Sequence, residues 1–168
     1  MKNTKKIVLS TFIIVLLCFS LTGCKQKSEK AVEQIDMDKL QEAMFAADET
    51  LSEMKVSNSD DENAELNFSS LSDMDYSRIS SYFYAYAKSG TAEEIAVIQL
   101  KDSKDEAVLM QSLQRHVDSR IKTLQEYNPE QVKMAENAVI TRQAGYVALI
   151  ISEKSGMVQN AFEDFFEE

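Results

Sequence analysis

Two pairs of short strand-like segments, separated by one long helical pattern, set the strongest constraint on how this chain can fold. The first pair is residues 75–87, rich in Ser, Ile, Tyr and Phe at period two, and residues 94–101, with Ile95, Ala96, Val97, Ile98 and Leu100. Lys88-Ser89-Gly90-Thr91 between them is turn chemistry. The second pair is residues 139–142 and 146–152, joined by Gln143-Ala144-Gly145. Its last strand is the most apolar and is expected at the centre of a sheet. Between the pairs, Ser103-Lys104-Asp105-Glu106 matches a capping box. Leu109, Leu113, Val117, Ile121 and Leu124 then recur on one face of a helix ending near Tyr127. Asn128-Pro129-Glu130-Gln131, with Asn as N-cap and Pro at the first helical position, opens a shorter helix ending near Asn137.

The flanks add two helices. Met37, Leu40, Met44, Ala47, Leu51 and Met54 alternate at spacings of three and four, which predicts a helix over residues 37–54. Val158, Phe162 and Phe165 mark the inner face of a closing helix over residues 157–166. Residues 56–74 read as a solvated loop fastened by Leu66, Phe68 and Leu71. The acids of Asn58-Ser59-Asp60-Asp61-Glu62 lack the alternate spacing, central Gly and closing Glu of a calcium loop. The whole order predicts an α+β fold, an antiparallel sheet of two hairpins with helices packed on one face.

The first 24 residues stand apart. Lys2, Lys5 and Lys6 precede an apolar run from Ile7 to Phe19. That run is shorter than the roughly 20 residues a bilayer-spanning helix needs, and it has the length of a signal-peptide core. Leu21-Thr22-Gly23-Cys24 follows, and it resembles the lipobox of bacterial lipoproteins. The resemblance implies that Cys24 receives a diacylglyceryl group and becomes the new N-terminus after cleavage. Two or more acyl chains anchor stably where one binds marginally, at about 0.8 kcal/mol per buried CH₂. The expected organisation is a leader over residues 1–23, a lipidated tether over 24–36, and one α+β domain over 37–168. Both cysteines lie at or before residue 24, so no disulfide can form inside that domain, and its core alone must hold it.

The chemistry the chain can do is limited by its side chains. Lys and Arg number 18 against 28 Asp and Glu, a net charge of −10, and loss of the leader removes three lysines and no acids. Such a surface repels phosphate backbones, so nucleic acid is not an expected partner. One His and two Cys leave too few ligands for a zinc site. No strand-Ser-helix elbow and no glycine-rich phosphate loop occurs. His116, beside Val117, reads as a surface or boundary residue on the flank of the long helix. The pairs Asp73 and Asp75, Glu93 and Glu94, and Glu163 and Asp164 are what chance adjacency gives in a chain this acidic. No catalytic residue and no metal ligand is therefore assigned. Tyr82, Tyr84 and Tyr86 alternate on one strand and project from one sheet face, with Phe83, Ala85 and Ala87 on the other. If Phe83 meets the helices, the tyrosines form an exposed aromatic stripe suited to a partner or ligand; the plainer reading is cross-strand aromatic packing that stabilises the sheet, since Tyr is a good strand residue.

Glu94-Ile95-Ala96-Val97, Tyr127-Asn128-Pro129-Glu130, Asn137-Ala138-Val139 and Gly145-Tyr146-Val147 together resemble a bacterial family known as domain of unknown function 4358, lipoproteins of Firmicutes. The similarity runs over about residues 37–166. It implies a lipid-anchored protein at the outer side of the cell membrane, and it brings no catalytic residues. The expected function is a non-catalytic interaction module that meets the bilayer through Cys24 and an envelope protein through its folded domain. The alternative is a ligand-binding or sensing accessory of the cell envelope. An enzyme acting on envelope polymers is the weakest reading. Apart from the diacylglyceryl group on Cys24, no cofactor is expected.

Overall fold

The computed structural model describes residues 34–167. The leader, Cys24 and most of the expected tether lie outside the described residues. Among the described residues five α-helices and five strands follow in order. They are α1 (Met37–Ala46), β1 (Met54–Asn58), α2 (Ala64–Ser69), β2 (Ile79–Ala87), β3 (Glu94–Leu100), α3 (Glu106–Tyr127), α4 (Val132–Glu136), β4 (Val139–Gln143), β5 (Tyr146–Ile151) and α5 (Ser155–Asp164). The strands form one antiparallel sheet in the order β1-β2-β3-β5-β4. The two expected hairpins are β2–β3 and β4–β5. They join through β3 and β5, the two strands whose every residue is buried. The middle strand is β3, and the apolar β5 is its interior neighbour.

The first helix is shorter than its apolar spacing predicts. It stops at Ala46 because Asp48 diverts the chain: its carboxylate accepts hydrogen bonds from the Thr50 backbone N–H and hydroxyl. Its other oxygen accepts from the Lys154 backbone N–H at 3.1 Å, which ties this corner to the start of α5. Met54 then belongs to an edge strand, so the region expected as loop holds β1 and the short helix α2. The expected capping box does not form. Asp102, not Ser103, accepts from the Lys104 N–H and caps a 3₁₀ turn, while Glu106 pairs with Arg142 at 2.8 Å. Asn128 likewise makes no side-chain cap. Pro129 begins a 3₁₀ turn that leads into α4.

Helices cover both faces of the sheet, not one. On the first face, Leu109, Leu113, Val117 and Leu124 of α3, Ala135 of α4 and Phe68 of α2 pack on Tyr82, Ala96, Ile98 and Leu149. On the second, Leu40 and Met44 of α1 and Val158 and Phe162 of α5 pack on Phe83, Ile95, Val97 and Ile150. The reason lies in the strands. With apolar residues on both sides of β3 and β5, a single helical layer would leave one set in water, at about 25 cal/mol per Å² of apolar surface.

Candidate functional site

Alternation along β2 puts Tyr82, Tyr84 and Tyr86 on one face, as expected, but that face is the one beneath α2 and α3. The stripe is therefore not open, and its three members have different surroundings. Tyr82 is 2% exposed, donates its hydroxyl proton to the Ala64 carbonyl at 2.7 Å, and packs edge-on against Phe68 and Tyr76. It is a core residue. Burial pushes its phenol up to about 12. Tyr84 is 6% exposed and Tyr86 is half-buried, and these two border a concave pocket of about 640 Å³.

The pocket arises from strand register. Lys55 on β1 lies opposite Tyr86 on β2, which lies opposite Glu94 on β3. Directly paired residues share a sheet face, so one row across three strands carries a cation, an aromatic ring and a carboxylate. Ser70, just after α2, lines one side. His116 and Arg120 of α3 line the other. They are four residues apart and so stand on one face of that helix. The β2–β3 turn closes the end with Lys88 and Gly90, whose φ of +79° is backbone that glycine adopts without strain.

Glu94 is the organising group. It is 2% exposed, and its carboxylate is held on both oxygens. His116 Nε2 lies 2.6 Å from Oε2, and Arg120 Nε lies 2.6 Å from Oε1. The Arg120 contact is a close ion pair whose N–H points off the line to the oxygen, so it is not a well-aligned hydrogen bond. Arg120 Nη2 also donates to the Thr91 carbonyl at 2.9 Å, which fixes the guanidinium against the turn. The Tyr84 phenol stands beside the same carboxylate. Burial, and then the negative charge of Glu94, push it far above its usual value. At the mouth, Lys55 lies 5.8 Å from the centre of the Tyr86 ring, and Lys88 pairs with Glu53.

His116 is thus a partner of a buried carboxylate. Glu94 is distinct from its neighbour Glu93, which points elsewhere and accepts from the Ser52 N–H and hydroxyl and from the Thr91 hydroxyl. The sequence offers Glu94 only as half of an acidic pair assigned to chance adjacency, and Arg120 not at all. The available signal was parity: Glu94 shares its strand face with Ala96 and Ile98, where a charge needs partners. Among the described residues no group of three or more His, Cys, Asp or Glu is arranged to hold a metal ion, and no helix is long and apolar enough to cross a membrane. Cys24 lies outside the described residues.

Residues 49–152 match the family described as Domain of unknown function (DUF4358). The match spans β1 through β5 with α2, α3 and α4, and it contains every residue that lines the pocket. It is narrower than the span of about 37–166 expected from sequence. No curated protein and no solved structure matches the chain.

Proposed function

Because the chain belongs to the family of domain of unknown function 4358, its role must be read from its own residues, and we propose that it is a membrane-anchored extracytoplasmic lipoprotein acting as a non-catalytic ligand-binding module. The anchor rests on the leader: three lysines, an apolar run too short to span a bilayer, and Leu21-Thr22-Gly23-Cys24. Cys24 carries the diacylglyceryl group, and the folded domain faces outward from the cell membrane.

The observation that carries the binding role is the pocket between α2, α3 and the β1–β2 edge, where charged and aromatic side chains converge on a space of about 640 Å³. Burial of Tyr82 and Tyr84 removes the open aromatic face that favoured a protein partner. The bound species is then one small enough to enter the pocket, or the end of a longer chain.

Two experiments test the two halves. An alkyne-bearing fatty acid fed to cells should label the wild-type protein and not Cys24→Ala; equal labelling of both removes the anchor. The full chain in neutral detergent, incubated with a small-molecule extract of bacterial envelopes, should retain a compound that a Tyr86→Ala variant releases. Retention of no compound, or of the same compounds by both proteins, refutes the binding role.

A further inference from the structure

We infer that the pocket takes an organic anion, with a carboxylate or phosphate group seated on Arg120 and Lys55 and the body of the molecule lying over the Tyr86 ring. This rests on the ligand-binding reading above and gives the ligand its chemical class. The argument starts from charge. In a chain of net charge −10, this pocket is lined by three cations, Lys55, Lys88 and Arg120, against a single carboxylate, Glu94.

That carboxylate is not free to meet a ligand. Both its oxygens are engaged at 2.6 Å, by His116 and by Arg120, and it is almost wholly buried. Its effect is to hold the cations. A guanidinium has five N–H donors in a rigid fork. Arg120 turns Nε toward Glu94 and uses one Nη2 proton on Thr91, and its side chain is 25% exposed. Among the described residues, nothing accepts from the remaining Nη donors. They are fixed in place before a ligand arrives, so an oxyanion loses little freedom by meeting them.

Lys55 completes the site. Among the described residues it has no carboxylate partner, and its ammonium sits 5.8 Å from the Tyr86 ring centre. Lys88, by contrast, is tied to Glu53. Lys55 flanks Tyr86 on the β1 side of the cross-strand row, and Arg120 reaches down from α3 to Glu94 on the β3 side. A flat or ring-shaped body over Tyr86 places its acidic substituent within reach of one or both. A cationic ligand is disfavoured by like charge at the same positions.

The test is an NMR titration of the ¹⁵N-labelled full chain in neutral detergent with glucose 6-phosphate, glucuronate and glucose. These three probes share a sugar body and differ in phosphate, carboxylate or no charge. The expected result is saturable shifts of the Tyr86, Thr91 and Arg120 amides with one or both charged probes, at least tenfold tighter than with glucose. Lys55→Gln, at an exposed position, should weaken that binding at least tenfold while the rest of the spectrum is unchanged. Arg120→Lys should retain part of it, because charge remains and the fork is lost. Phosphate and carboxylate are separated by which charged probe binds. Glucose binding as tightly as the charged sugars overturns the anion inference and leaves the binding role standing. No saturable shift with any probe overturns the inference as well, and the envelope-extract experiment then decides the binding role independently.

Discussion

Glu94 on β3 and His116 on α3 meet across the sheet–helix interface, Oε2 to Nε2 at 2.6 Å, at a point where the neighbouring contacts of that helix are apolar. A lone buried carboxylate costs several kcal/mol, and pairing with hydrogen bonds offsets it. Here Arg120, one helical turn beyond His116, takes the second oxygen. The three side chains therefore fix where α3 lies on the sheet, and they leave the pocket beside it with its cations in place.

Removing the carboxylate tests this directly. Glu94→Ala leaves His116 and Arg120 at the interface without their acceptor, and breaking one side of a buried pair costs roughly 3–5 kcal/mol. Arg120 is one-quarter exposed, so water recovers part of that and the expected loss is about 3 kcal/mol. Glu94→Gln keeps the shape and one acceptor oxygen and should cost less. Urea unfolding midpoints of the two variants measure it. A loss under half a kcal/mol in both, roughly the scale of an ordinary surface substitution, would mean the triad does not anchor the helix.

Stability should fall on the alkaline side. In the unfolded chain a tyrosine ionises near pH ~10. In the fold, burial pushes Tyr82 up to about 12, and burial with the Glu94 charge pushes Tyr84 higher still. A raised folded value means the contribution is whole below pH ~10 and is lost as pH rises through the folded values, because the unfolded chain releases its protons first. Denaturation midpoints should therefore decline above pH ~10, and Tyr84→Phe should flatten the decline. The same slope in wild type and Tyr84→Phe would place the effect elsewhere.

Several elements were legible in the sequence for physical reasons. The β2–β3 and β4–β5 hairpins, α3 and α5 each have enough residues at one period to stand out from noise. The parity of the tyrosine stripe was also legible. Its exposure was not, because that depended on a second helical layer, and apolar residues on both sides of β3 and β5 signal such a layer only once those strands are known to be interior. The strand β1 escaped notice because Met54-Lys55-Val56-Ser57-Asn58 is a five-residue edge, with little need for apolar alternation. The pocket was invisible for a related reason. Tyr86 and Glu94 face each other across one hairpin, but Lys55 and Arg120 lie far from them in sequence, and only the β1 register and the placement of α3 bring the four together.

The β4–β5 turn holds a residue that its backbone does not suit. Gln143 pairs with Tyr146, so Ala144 and Gly145 form a two-residue hairpin loop, with φ values of +50° and +86°. Positive φ at both positions defines a type I′ turn, in which Asn-Gly is strongly preferred. Alanine in the left-handed region carries a cost of roughly 1–2 kcal/mol. Ala144→Asn should therefore stabilise the domain by about 1 kcal/mol and raise its melting temperature by several degrees, roughly 4 °C. An unchanged or lower melting temperature would show that the turn is not the limiting geometry.

The family match raises a question about what the domain needs in order to fold. It spans residues 49–152 and so omits α1 and α5. Yet these two helices pack on each other and supply the second face of the core, where Leu40, Met44, Val158 and Phe162 are wholly buried. Cutting the chain to 49–152 would put Phe83, Ile95, Val97, Ala148 and Ile150 into water on one side of a twisted sheet. An apolar patch of that kind drives association. The truncated chain should therefore aggregate or unfold without a cooperative transition, although every pocket residue is present in it. Within the full chain, Leu40→Ala should cost about 2–5 kcal/mol by the cavity it leaves, whereas Leu66→Ala, at an exposed site on α2, should cost well under about 1 kcal/mol. A monomeric 49–152 fragment that melts cooperatively at the temperature of the full chain would mean that α1 and α5 are dispensable covers rather than half of the core.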